Sequence, residues 1–288
     1  MFNLFKKREL KTINRVELDK EIENFKSIGV TDNEKDIIVS LTSFPERIYE
    51  IRYTLYSLLT QTVKPSKVVL WLASDEFPNG ENDLPEDVLR LKSNGLTINW
   101  TRNICSYKKL IPALETYPNR IIVTADDDLF YEPDWLEKLI NAYKAYPDCV
   151  ITHRAHAIKL SRNKIAPYKK WKKGIKSGKP SYLNFLTSGG GTLYPVDCFY
   201  KDVLKDEIFL KLLPKADDIW IWAMIILNHK KIFVTKDHVK RLTYVNPQRE
   251  RGLTNEKTLF SFNKKGGNDE QLKKLIEYYP EILDIISK

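Results

Sequence analysis

Three consecutive carboxylates close a short apolar run: Ile121-Ile122-Val123-Thr124-Ala125 leads into Asp126-Asp127-Asp128. The run is brief, rich in β-branched residues and bounded by turn signals, so it predicts a buried strand. Adjacent carboxylates repel, and a fold that sets them at the mouth of a buried strand needs a compensating positive charge. A hard divalent cation supplies one. Mg2+ or Mn2+ is held by one or two carboxylates and fills its remaining positions with diphosphate oxygens. The triplet therefore points to chemistry on a nucleotide-linked substrate. A polar strand-to-loop turn is the plainer explanation, but three clustered charges cost more than a turn requires.

A second acidic pair, Asp217-Asp218, precedes the apolar run Ile219 to Leu227. Aspartate suits the cap and first turn of a helix. One aspartate can cap while the other faces a cleft as a general base. Trp220 and Trp222 on the same helix could stack on a sugar ring or fill the core. Ser188-Gly189-Gly190-Gly191-Thr192 either lets backbone approach a ligand closely or turns a hairpin between Phe185 and Tyr194. It lacks the lysine and the spacing of a P-loop. His238 follows the strand Ile232 to Thr235, and a neutral imidazole can bind Mn2+. A lone histidine is more often structural or solvated. His153 and His156, with Arg154, could face an acceptor or a diphosphate; an exposed strand end is the commoner setting.

These groups need elements to hold them. Asp36 to Leu41, Lys67 to Leu72, Leu96 to Trp100 and Ile121 to Ala125 read as buried strands, with Cys149 to Thr152 a further candidate. Helical spacing covers Val16 to Lys26, Ile51 to Thr60, Lys108 to Glu115, Asp134 to Tyr146 and about Asp269 to Tyr278. Strands alternating with helices predict an α/β fold in one domain: a mixed, mainly parallel sheet flanked by helices. Ligands of such sheets bind beyond the carboxyl ends of the strands. Thr42-Ser43 and Asp126-Asp127-Asp128 both fall there. The organisation expected is a basic arm over 1–33, the α/β domain over 34–240 and a helical tail over 241–288.

Composition narrows the classes. The 288 residues are 42% hydrophobic and 30% charged, which describes a folded chain with a real core. The formal charge is +9 and suits an anionic partner. Nucleic acid is not expected, because 38 acidic residues are interleaved and no binding motif is present. Cys105, Cys149 and Cys198 are odd in number and far apart, giving neither a disulfide framework nor a zinc site. No apolar run spans a bilayer and no secretory signal opens the chain, so a cytoplasmic protein is expected. Lys169, Lys170, Lys172, Lys173, Lys176 and Lys179 surround Trp171 in a stretch that reads as a loop. The loop could be a solvated face, a lid, or a seat on an anionic membrane, placing the protein at the inner membrane face. Phe2, Leu4 and Phe5 beside Lys6, Lys7 and Arg8 would favour the same surface.

The first strand with its loop, the aspartate triplet, the glycine turn and Asp217-Asp218 occur in an order that resembles the nucleotide-sugar glycosyltransferases of the GT-A (Rossmann-like) fold. The closest likeness is to bacterial family 2-type enzymes that build capsule or lipopolysaccharide glycans, over roughly Asp36 to Asp237. The resemblance implies metal-dependent transfer from a nucleotide diphosphate sugar to a glycan acceptor, free or lipid-linked, with inversion. It implies that Thr42, Ser43 and Arg47 hold the base and ribose, and that Asp126 contacts the donor. Asp128 would bind Mn2+ or Mg2+, with His238 completing the metal shell. Asp127 could serve donor or metal, and Gly189 and Gly190 would lie against the sugar. Asp217 or Asp218 would be the base; the Asp-Asp pair replaces a commoner Glu-Asp and leaves open which acts. The rival within enzymes is a sugar nucleotidyltransferase, whose first loop carries glycines that Thr42-Ser43-Phe44-Pro45 lacks.

Overall fold

The computed structural model describes residues 10–32, 37–162, 164–176, 178–236, 242–250 and 267–287. The strands are β1 (Lys11–Thr12), β2 (Ile37–Thr42), β3 (Lys67–Ala73), β4 (Leu96–Thr101), β5 (Ile121–Thr124), β6 (Leu129–Phe130), β7 (Cys149–Thr152), β8 (Ala155–Ala157), β9 (Leu160–Ser161), β10 (Lys164–Ile165), β11 (Asn184–Leu186), β12 (Thr192–Tyr194), β13 (Lys231–Val234) and β14 (Thr243–Tyr244). The helices that concern the site are α1 (Arg15–Asn24), α2 (Ile51–Leu59), α3 (Glu86–Arg90), α4 (Ile111–Thr116), α5 (Trp135–Ala145), α6 (Asp206–Leu212) and α7 (Asp217–Leu227). Two further helices, Gly267–Tyr278 and Glu281–Ile286, close the chain.

Seven strands form the central sheet in the order β13-β7-β12-β5-β2-β3-β4. Neighbours are parallel except where β12 runs against β5 and β7. This is the mixed, mainly parallel sheet that the alternation of elements predicts. Its strands are apolar on both faces because both faces are covered. Val39, Leu41, Leu70 and Val123 pack with Leu55 and Leu58 of α2 and Leu136 and Leu139 of α5. Ile38, Val69, Ile122 and Ile232 face the other layer, with Phe209 of α6, α7 and Ile282 of the last helix.

Two expectations change. Phe185 to Tyr194 is not a hairpin: β11 pairs with β8, whereas β12 inserts between β5 and β7. The glycine turn carries the chain from a two-stranded ribbon into the central sheet. Burial decides this, since Leu193 of β12 is fully enclosed between the two layers. Trp220 and Trp222 do not offer faces to a ligand. Both are 0% exposed, with their indole N–H groups bonded to the carbonyls of Val203 and Tyr182 at 3.1 Å each.

The described part of the arm joins the tail. β1 pairs with β14, and α1 sets Leu18 and Ile22 against Tyr53 and Val245. Phe2, Leu4, Phe5 and the basic residues after them lie outside the described residues, as does His238. Among the described residues no helix is long and apolar enough to cross a membrane.

Candidate active site

Topology gathers the candidate residues on one edge. β2 and β5 are parallel, with Ser40 opposite Thr124, so Thr42-Ser43 and Asp126-Asp127-Asp128 emerge side by side. β12 is antiparallel to β5, with Thr192 opposite Thr124. Its beginning, and the Ser188–Gly191 turn before it, therefore reach the same edge. α7 starts there too: the Ser188 backbone N–H donates to Asp218 Oδ1 at 3.2 Å.

The triplet is met by cations from the chain itself. Arg47 Nη1 donates to Asp127 Oδ1 at 2.7 Å and to Asp128 Oδ2 at 2.8 Å. Burial opposes the guanidinium charge, but Asp127 and Asp128 outweigh it and raise its pKa. Ser43 Oγ donates to Asp127 Oδ2 at 2.7 Å, and Asp127 is 7% exposed. Thr42 Oγ1 donates to the Trp71 carbonyl at 2.7 Å, tying the end of β2 to β3. Asp126 turns the other way, toward Lys109, whose Nζ lies 2.9 Å from its Oδ1. Its backbone N–H donates to the Tyr131 hydroxyl at 2.8 Å, and that hydroxyl donates to the Gly189 carbonyl at 3.2 Å.

Lys109 joins the two acidic clusters. Its ammonium also lies 3.1 Å from Asp217 Oδ2 and donates to Ser188 Oγ at 2.6 Å. The residue is buried, which disfavours its charge; Asp126, Asp217 and Asp218 outweigh that and hold its pKa well above the usual lysine value. Sequence reasoning missed it. The signal available is the insertion of Lys108-Lys109 between apolar Tyr107 and Leu110-Ile111, where a solvated pair is out of place. Lys108 is buried as well and pairs with Glu76.

Asp217 and Asp218 differ in setting. Asp217 is buried against Lys109, whereas Asp218 is half-buried and reaches the edge. Loss of water, then the neighbouring Asp217 charge, push the Asp218 carboxyl up to about 7, against the pull of Lys109 and the Ser188 N–H. A carboxylate in that range accepts a proton near neutrality. Neither aspartate is the cap residue of α7; that position is Ala216.

Close packing fixes the glycine turn. A Cβ on Gly189 would lie 2.7 Å from Asp126 Oδ2, and one on Gly190 would lie 2.7 Å from Arg154 Cβ. Gly191 has φ +101°, and a Cβ there would meet the Trp135 indole at 2.4 Å. His153 is not at an exposed strand end. It is fully buried, with Nε2 2.9 Å from the Trp135 carbonyl and Nδ1 3.0 Å from Thr235 Oγ1. His156 is buried too, and its Nδ1 accepts the Gly174 N–H at 3.1 Å. Burial, then the charge of Arg154, lower its pKa to about 4.

Carboxylate oxygens are the right donors for a hard divalent cation. Among the described residues no group of three or more His, Cys, Asp or Glu side chains gathers as a metal cage. A cation at Asp128 would share or displace Arg47 and would draw most of its ligands from a diphosphate and water.

Known proteins resemble this chain. A curated relative, the glucosyl-dolichyl phosphate glucuronosyltransferase of Haloferax volcanii, is 27% identical over 118 residues. That match takes in 39% of this chain and 35% of the relative, so it spans about a third of the relative's length. The S. aureus TarS 1-349 structure in complex with UDP aligns with TM-score 0.48 and 14% identity, over 72% of this chain and 59% of that one. The mannosyltransferase PcManGT of Pyrobaculum calidifontis, in complex with GDP-Man and Mn2+, aligns with TM-score 0.47 and 14% identity, over 82% and 64%. The model of glycosyl transferase family 2 matches residues 44–200, more than half of the 288 residues, and takes in the triplet, Lys109 and the glycine turn. The chain belongs to glycosyl transferase family 2.

Proposed function

We propose that the protein transfers a sugar from a nucleoside diphosphate sugar to a hydroxyl of a cell-surface glycan, free or lipid-linked, with inversion at the anomeric carbon. The observation that carries this reading is the Lys109 bridge from Asp126 to Asp217, which joins the Asp126–Asp128 triplet to a pair whose half-buried member, Asp218, is poised near neutrality. Ser43, Thr42 and Arg47 lie on the nucleotide side with Asp126 and Asp127. Gly189 gives backbone, rather than side chain, to the sugar, while the buried Gly190 packs on Arg154 and supports the turn. Asp218 takes the acceptor proton as the acceptor oxygen bonds to the anomeric carbon and the bond from that carbon to the diphosphate oxygen breaks. Asp217 holds Lys109 in place and keeps a negative charge beside Asp218, which strengthens it as a base. A divalent cation, Mn2+ or Mg2+, neutralises charge developing on the leaving diphosphate when bound. Asp128 is the residue proposed to hold it, with His238 as a second ligand.

The test is a panel of nucleotide sugars, read by thermal stabilisation with and without Mn2+ and then by transfer. A donor that stabilises the protein only with the metal is the expected hit. Asp218→Asn should bind that donor and fail to transfer. Stabilisation by none of the donors, or full transfer by Asp218→Asn, would overturn the reading.

A further inference from the structure

The net positive charge of the protein is confined to one stretch. Between Asp148 and Asp197 the chain has ten Lys and Arg residues and no Asp or Glu. Taking those ten from the 47 cations leaves 37 against 38 carboxylates, so the rest of the molecule is close to neutral. Nine of the ten, all but Arg154, are exposed, and six of these, Lys169, Lys170, Lys172, Lys173, Lys176 and Lys179, surround Trp171.

The stretch is built, not loose. β9 and β10 form a short antiparallel ribbon whose Leu160 and Ile165 pack on the core. Trp171 is 4% exposed and its indole N–H donates to the Ala166 carbonyl at 2.7 Å. Lys172 exchanges backbone hydrogen bonds with Ala157, and the Ile175 N–H bonds to the Ala155 carbonyl at 3.0 Å. Trp171 and Ile175 thus point inward while the lysines between and around them point out. Backbone bonds from Lys172 and Ile175 to β8 tether the stretch to the β8–β11 ribbon and leave the lysines outward. The stretch adjoins the proposed base. The Tyr168 ring lies 5.0 Å from that of Trp171, and its hydroxyl, pushed up to about 12 by burial and then by the Asp218 charge, feels that carboxylate.

We propose that the lysine layer at 169–179 docks the protein on an anionic lipid surface. An anchored set of exposed lysines meets a plane of headgroups at several points without needing a groove. Clusters of four to eight cations are the usual lipid-reading pattern, at about 1 kcal/mol for each residue near the surface. Docking by this face turns the Asp218 side of the site toward the bilayer, where a lipid-borne acceptor would present its hydroxyl. The orientation rests on the sugar-transfer reading; the docking does not.

Sedimentation with vesicles tests it without any turnover. Vesicles containing phosphatidylglycerol should carry the full chain down at low salt and release it at high salt, while phosphatidylcholine vesicles should not carry it. Lys169→Gln, Lys170→Gln, Lys172→Gln and Lys173→Gln combined should weaken binding by on the order of 100-fold or more. Replacing Lys20, Lys26, Lys64 and Lys67 by Gln should leave binding nearly unchanged. Transfer to a soluble acceptor should survive in the first variant, since none of its residues is in the site. Equal binding to neutral vesicles, equal losses in the two variants, or binding to soluble polyphosphate with none to anionic vesicles would each overturn the docking.

Discussion

Two acidic clusters of the same residue type sit on one sheet edge in different company. Asp126, Asp127 and Asp128 are met by Arg47, Lys109 and the Ser43 hydroxyl. Asp217 and Asp218 share Lys109 with the first cluster, and Asp218 has the Ser188 N–H besides. Each carboxylate of the first cluster has a guanidinium or ammonium within 3 Å, whereas in the second Lys109 pairs with Asp217, and Asp218, deprived of water beside the Asp217 charge, is driven up to about 7. Loss of water first, and the neighbouring charges next, set Asp218 apart from the first cluster.

Removing the shared cation tests this comparison hardest. Lys109→Met leaves Asp126 and Asp217 facing each other across an apolar side chain. Stability should fall by on the order of 3–5 kcal/mol, as when one member of a buried pair is deleted, read by urea unfolding. Unchanged stability would mean that the two clusters stand independently.

Single carboxamide substitutions separate the roles next. Asp218→Asn should lower the transfer rate by on the order of 10²–10⁴-fold while donor affinity holds. Asp127→Asn should weaken donor binding, because it disturbs the oxygens that Ser43 and Arg47 hold. A reversed pattern, with donor affinity lost at Asp218 and rate alone lost at Asp127, would exchange the assignments.

The pH dependence sharpens the contrast further. The folded-state pKa of Asp218 lies above its value in an unfolded chain. Its favourable contribution is therefore fully present below about pH 4 and is lost as pH rises through about 7. The stability of Asp218→Asn relative to the native protein should grow across that window and level off above it. Transfer should run the opposite way, rising toward pH 7 as the base loses its proton. A transfer profile that is flat from pH 5 to 8, at constant donor saturation, would remove Asp218 as the base.

Much of this arrangement is legible in the sequence wherever the determinant is local. β2, β3 and β5 are short apolar runs whose alternate residues enter opposite layers, so composition alone marks them as two-sided strands. The triplet marks itself, because three charges after such a run have only the strand mouth to occupy. The counter-charge is harder to read. Electrostatics demands a cation beside the triplet, and a metal satisfies that demand on paper. In the fold Arg47 and Lys109 already do, from 80 and 17 residues away in sequence. Lys109 also reaches Asp217, and neither spacing follows from a local pattern. The place of β12 is hidden for the same reason: three glycines announce a turn but not which strands the following residues will join. Trp220 and Trp222 show the limit from the other side, since a tryptophan before a ligand and a tryptophan in a core have the same local sequence.

The smallest expected effect gives the finest test of how far the clusters are coupled. Ser43→Ala removes one charge-assisted hydrogen bond, at 2.7 Å, from Asp127 and leaves Arg47 on the other oxygen. Such a bond contributes about 1.5–3 kcal/mol, and the remaining guanidinium contact should keep the loss near the lower end. Donor binding should weaken modestly, because Asp127 gains freedom on the nucleotide side. Ser43 touches neither Lys109 Nζ nor Asp218, so the pH midpoint of transfer should stay where the native protein has it. If Lys109 is the link between the clusters, a perturbation that leaves Lys109 in place cannot reach the base. A midpoint that moves in Ser43→Ala would require a second path, and the bridge would then be one part of a wider network.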